Sequence, residues 1–107
     1  MYYITAIYPY QDGAYFNFDY YKERHIPLLI SCFGDNFIDI QVRQGLAGIE
    51  RDSPDFICIF SMRVHSFTRW QDQIRLHGDQ IFNDTKNFTN LEPIIQIDQL
   101  VCDTSVD

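Results

Sequence analysis

In the stretch FICIFSMRV, Phe56 to Val64, the alternate residues Phe56, Cys58, Phe60, Met62 and Val64 are apolar. Ile57 and Ile59 carry apolar character onto the second side before Ser61 and Arg63 end it. Period-two alternation marks a β-strand, and a strand apolar on both faces needs cover on both. A chain of 107 residues builds one domain, spanning residues 1–107, around one shared core. The question is therefore what covers each side of this strand.

The rest of the chain answers half of it. YYITAIYPY (Tyr2–Tyr10) reads as a first strand, rich in aromatic and β-branched residues, and Asp12-Gly13 as a turn. FDYYKERHIPLLISCFG (Phe18–Gly34) reads as a helix capped by Asp19 and stopped by Gly34. In NFIDIQVRQ, Ile38, Ile40 and Val42 alternate with Asp39, Gln41 and Arg43, as in a half-buried strand. RDSPD makes the turn into the strand that begins at Phe56.

SFTRWQDQIRLHGDQIF returns to helical spacing, with Thr68 and Gln71 as a capping box. Phe67, Trp70, Ile74, His77 and Ile81 form its apolar stripe, and Gly78 weakens it by roughly 1 kcal/mol relative to Ala. NDTKNFTNLEP is a polar connection, IIQIDQLV the last strand and DTSVD a loose tail.

The order β-α-β-β-α-β predicts an α+β, ferredoxin-like domain with a four-stranded antiparallel sheet. Helices in that architecture cover one face of the sheet only. Ile57, Ile59 and Ile94, with Leu100, leave apolar surface on the other, which predicts a homodimer packed sheet against sheet as a closed barrel.

Function classes narrow next. The net charge is −7 and Lys and Arg never cluster, so neither nucleic acid nor an anionic membrane is an expected partner. No run approaches the ~20 apolar residues of a membrane span, and Met1 leads straight into a strand without a secretory leader. Cys32, Cys58 and Cys102 are an odd set without CxxC spacing, which reads as reduced thiols in a cytoplasmic protein. No GxGxxG, P-loop, G-x-S-x-G or HExxH is present, and no metal or cofactor is expected.

The first helix carries the chemistry. Tyr21, His25, Leu28, Leu29 and Cys32 fall on one side, which turns an imidazole toward the sheet or a gap beside it. Pro27 cannot donate to the backbone ladder and clashes with the Glu23 carbonyl, so the helix is expected to bend and open a cleft at His25. His25 is then either an acid/base group tunable around neutral pH or a structural histidine bonded to a carbonyl or carboxylate. His77 invites the same two readings, the structural one more strongly. Tyr21 can hold a substrate oxygen or simply pack, Trp70 can wall a pocket or fill core, and Asp98 can point into the barrel.

YPYQDGAYFNFDYYKERHIPLL, GLAG and NFTNLEPIIQIDQLV together resemble the EthD family of the dimeric α/β-barrel superfamily across almost the whole chain. The most specific part is D-Y-Y-x-x-x-H-x-P-L followed by N-F-T-N-x-E-P-x-I-Q-I. The resemblance implies a dimeric barrel with a small pocket between helices and sheet, in proteins often labelled reductases and thus oxidoreductases. It matches Asp19, Tyr20, Tyr21, His25 and Pro27 to the helix motif and His77 to a frequent histidine. Asp98 and Gln99 depart from the serine-glutamate pair of similar proteins. A cofactor-independent enzyme using His25 and Tyr21, with Tyr20, Trp70 and His77 in a pocket for a small oxygenated or aromatic molecule, is one expectation. A non-catalytic ligand-binding or accessory module is the other.

Overall fold

Period-two alternation resolves into β1 (Tyr2–Pro9), β2 (Phe37–Gln44), β3 (Phe56–Val64) and β4 (Ile94–Gln99), in a computed structural model that describes residues 2–105. Met1 and the last two residues of the tail lie outside the described residues. The strands are ordered β2-β3-β1-β4, and each neighbouring pair is antiparallel. This is the expected ferredoxin-like α+β architecture. Pro9, which lacks a backbone N–H, sits at an irregularity of the β1–β3 ladder and beyond the reach of β4, whose pairing ends at Ile7.

One face of the sheet is the core. Ile4, Ala6 and Tyr8 of β1 lie opposite Met62, Phe60 and Cys58 of β3, and all six are buried. Fully burying side chains as large as Phe60 or Met62 stabilises by about 1.5–3 kcal/mol each, several times what a helix-surface pair contributes. In β2 an extra residue between Phe37 and Asp39 shifts the register. Phe37, Ile40 and Val42 therefore pack against the core, and Phe37 takes the place expected for Ile38.

Two helical layers cover that face. The first consists of α1 (Phe18–Tyr20), a π-helical turn (Tyr21–His25) and α2 (Ile26–Phe33), and the second is α3 (Phe67–Asn83). The departure from α geometry expected at Pro27 lies just upstream of it. The Ile26 N–H donates five residues back, to the Tyr21 carbonyl, so the helix is already widened where the proline ring enters near the start of α2.

Gly34 ends α2 with φ +53°, a backbone conformation that favours glycine. Both expected N-caps are displaced. Asn17, not Asp19, accepts from the Tyr20 N–H at 3.0 Å, and Ser66, not Thr68, accepts from the Arg69 N–H at 3.1 Å. In each case the first helical turn starts at the aromatic residue that packs on the core, Phe18 or Phe67, and the cap is the polar residue before it.

The fully buried Asn36 stitches the two layers together. Its side chain donates to the Ser66 carbonyl and the Gln73 side chain, at 3.1 and 2.9 Å, and accepts from the Ser66 N–H at 2.8 Å. Among the described residues no helix is long and apolar enough to cross a membrane.

The opposite sheet face carries no helix. Ile7, Ile59 and Ile94 share it, as alternation with their buried neighbours requires, whereas Ile57, expected there too, is the extra residue at the β3 irregularity and packs against the core. Toward its other end it turns polar, where Arg63 forks onto Asp39, and Asp98 accepts from Thr5 and, at 2.6 Å, from Gln96. Asp98 thus lies on the uncovered face, opposite Tyr3. Leu100 falls just past β4 and belongs to no strand.

Candidate functional site

Tyr21, His25 and Leu29 recur at steps of four on the buried side of the first helix. They meet α3 over β1 and β3 and enclose a cavity of about 70 Å³. Ile4, Ala6, Phe60 and Met62 form its floor, Leu29, Phe33, Trp70, Ile74 and Ile81 its walls, and Tyr8, Tyr21 and His25 one polar corner. No Lys, Arg, Asp or Glu lines it.

His25 is 4% exposed. Its ring stacks on Tyr21 at 5.2 Å between centroids and packs on Phe88 at 4.7 Å. Its Nδ1 lies 2.9 Å from Oδ2 of Asp84, the residue that closes α3. The other oxygen of Asp84 accepts from the Tyr20 hydroxyl at 2.6 Å and from Asn87 Nδ2 at 2.9 Å. One carboxylate therefore gathers three donors from two parts of the chain.

Electrostatics assigns the protons. Burial pushes the His25 pKa below its ordinary value, against the opposing pull of Asp84. Burial alone would raise Asp84, but hydrogen bonds from Tyr20, Asn87 and His25 outweigh it and hold the carboxyl below the usual carboxylate range. The pair is thus neutral imidazole and ionised carboxylate. With the Nδ1 proton donated to Asp84, Nε2 carries the lone pair. Burial raises the hydroxyl pKa values of Tyr8 and Tyr21 far above normal, so neither ionises near neutrality. Cys58, on the sheet below, is pushed up to about 12 by burial, which argues against a thiolate nucleophile.

Of the residues singled out from the sequence, His25, Tyr21 and Trp70 line the cavity. Tyr20 does not: it reaches His25 only through Asp84. His77 also stays outside. The face of α3 with Gln73, which bonds to the Phe33 carbonyl, and Asp84, which bonds to His25, is turned toward the first helix. His77 falls on that face by helical spacing, half-buried, while Ile74, the buried Gly78 and Ile81 continue the inward stripe.

Asp84 escapes sequence reading because it stands 59 residues from His25. The available signal is its sign: an acid at a helix C-terminus is unfavourable for the dipole, so its position there implies a donor that holds it.

The cavity also has a mouth. Phe82, Thr85, Pro93 and Ile95 border both it and an open groove of about 520 Å³ that continues past Lys86, Asn90 and Glu92.

No family model and no curated protein matches the sequence. Among solved structures, an EthD-like protein from Ralstonia eutropha is 30% identical over 97% of this chain and 95% of its own, with a TM-score of 0.91. An ethyl tert-butyl ether d (EthD) family protein from Bacillus halodurans shares the fold at 20% identity and a TM-score of 0.72, over 94% of this chain and 99% of its own. The helix motif around His25, the sheet order and the first of these likenesses agree, and the chain belongs to the EthD family.

Proposed function

We propose that the protein is a cofactor-independent proton-transfer enzyme acting on a small oxygenated molecule, with His25 as the base. The observation that carries this reading is the His25–Asp84 hydrogen bond at the edge of an apolar cavity. Asp84 fixes the tautomer and the ring plane, and burial keeps the imidazole neutral and ready to accept a proton at Nε2. Once His25 is protonated, the ionised carboxylate stabilises the imidazolium. Tyr21 holds the ring by stacking, and Tyr20 holds Asp84. A single positioned base contributes typically 10²–10⁴ in rate, which suits isomerisation or cyclisation next to a carbonyl better than cleavage of a stable bond.

The uncovered sheet face supports a homodimer, in which Ile7, Ile59 and Ile94 of two copies meet. Ordinary ligand sites occupy about 300–1,000 Å³, so the cavity alone takes only a small headgroup and the groove takes the remainder.

His25→Gln tests the reading. Proton exchange into small carbonyl compounds should fall by about 10²–10⁴ in the variant; equal exchange in both proteins would remove His25 from the chemistry. One observation favours the non-catalytic alternative, a ligand-binding or accessory module: the ring is clamped by Tyr21, Phe88 and Asp84 on three sides. On that reading His25→Gln loses stability and no activity.

A further inference from the structure

Two apolar surfaces lie off the edges of the sheet without cover from their own chain. One is the loop between β2 and β3, where Leu46 and Ile49 are 81% and 92% exposed. Its tip is nonetheless folded: the Gly48 N–H donates to the Arg51 carbonyl at 3.2 Å, and Glu50 turns the chain with φ +65°. The other is the groove at the cavity mouth, where Phe82 and Ile95 are 46% and 41% exposed beside Leu91 and Pro93.

We propose that in the homodimer the β2–β3 loop of each copy, through Leu46 and Ile49, seats in the groove of the other and closes the mouth of its cavity. This rests on the sheet-to-sheet pairing proposed above and adds to it a site that one chain cannot complete.

The uncovered face decides the orientation, because its residues stand in three rows across the four strands. Asp39, Arg63, Tyr3 and Asp98 make a charged row at one end. Gln41, Ser61, Thr5 and Gln96 make a neutral polar row beside it. Arg43, Ile59, Ile7 and Ile94 make the third, apolar except at the β2 edge. A two-fold axis across the strands would lay the first row on the third and bury Arg63 and Asp98 against isoleucines, which is costly. An axis along the strands lays each row on itself, with Ile59 over the partner's Ile7.

That choice sets β2 of one copy antiparallel beside β4 of the other. These are the two edge strands, and among the described residues neither has a second neighbouring strand. Along the seam Asp39, Gln41 and Arg43 pass the partner's Asp98, Gln96 and Ile94 in turn. Beyond Arg43 the chain enters the loop at Gly45 and Leu46; before Ile94 the partner's chain runs through Glu92 and Pro93 of its groove. The exposed tip and the exposed groove arrive at the same place. A small molecule in the cavity is then shut from water by apolar side chains of the second copy, and the tip must lift to admit it.

Cross-linking tests the seat. Cys32 and Cys58 are buried, so on a Cys102→Ser background a single introduced cysteine is the one accessible thiol. Ile49→Cys protein, mixed and exchanged with Glu92→Cys protein, should give a dimer-sized band with a short bismaleimide. Ile49→Cys with Gln99→Cys, at the far end of the same strand, should not. A native monomer in sedimentation would sink the pairing and this proposal with it. A native dimer that gives no Ile49–Glu92 product, or equal product with Gln99, overturns the seat alone and leaves the pairing standing. Leu46→Ser combined with Ile49→Ser leaves the sheet face untouched and should raise the dimer dissociation constant about tenfold or more. An unchanged constant also overturns the proposal.

Discussion

His25 Nδ1 and Asp84 Oδ2 lie 2.9 Å apart across 59 residues of sequence, joining the π-helical turn of the first helix to the C-cap of the second. The contact is both fastener and tuning device. It anchors one helical layer to the other, and it sets which imidazole nitrogen faces the cavity.

Replacing Asp84 by Asn strips this arrangement of its charge and of an acceptor that serves Tyr20, His25 and Asn87. Urea unfolding should show a loss of about 1–3 kcal/mol, because the buried His25 N–H is left with a weaker or missing partner. Tyr20→Phe removes one of the three donors and should lose less than Asp84→Asn, because the hydroxyl it removes is reached by solvent.

Stability should decline toward acid in two stages. His25 has an ordinary pKa of 6.5, and its folded value is lower, so the unfolded chain takes up its proton first as pH falls. Its contribution is complete above pH 6.5 and is lost as pH drops through the folded value. Asp84, also lowered from its ordinary 3.8, contributes above that value and is lost only below it. Melting temperatures of native protein and His25→Gln between pH 8 and 5 isolate the first stage. The native curve should fall more steeply than that of the variant, and parallel curves would contradict the assignment of a neutral His25.

Two glycines should respond in opposite directions to alanine. At Gly78 an added Cβ meets Phe82 and Ile74 at 3.7 and 3.8 Å, ordinary contact distances, so Gly78→Ala should stabilise α3 by about 0.5–1 kcal/mol. At Gly45 the same atom would lie 2.0 Å from the Phe56 carbonyl oxygen, and backbone cannot step aside. Gly45→Ala should lose about 1–3 kcal/mol. Thermal melts of the two variants check both signs.

The uncovered sheet face yields a prediction about assembly. Ile59→Lys places a charge between Ile7 and Ile94 without touching the helix-covered core. Sedimentation should show a dimer for the native chain and a folded monomer for the variant. A native monomer would refute the sheet-to-sheet pairing.

The fold was legible because alternation and helical spacing are local. Ile40 and Val42, or Cys58, Phe60 and Met62, announce their face within a few residues. The caps were misplaced by two residues each because Asn17 and Asp19, or Ser66 and Thr68, are all good caps. Only the docking of Phe18 and Phe67 decides which becomes one. The site was half legible. His25, Tyr21 and Trp70 belong to stripes that reach the cavity, whereas Asp84 joins only after both helices are packed. His77 and Gly78 sit on opposite shoulders of the same stripe, and spacing alone does not say which turns inward.

The widened turn at Tyr21–His25 has a consequence for comparing relatives. It holds one residue more than regular winding would, so α1 and α2 are offset in phase by about 100°. Deleting any one residue of the turn would restore even winding and swing a different side chain toward Asp84. A single-residue gap inside this helix is therefore as informative about a relative as a substitution of the imidazole itself.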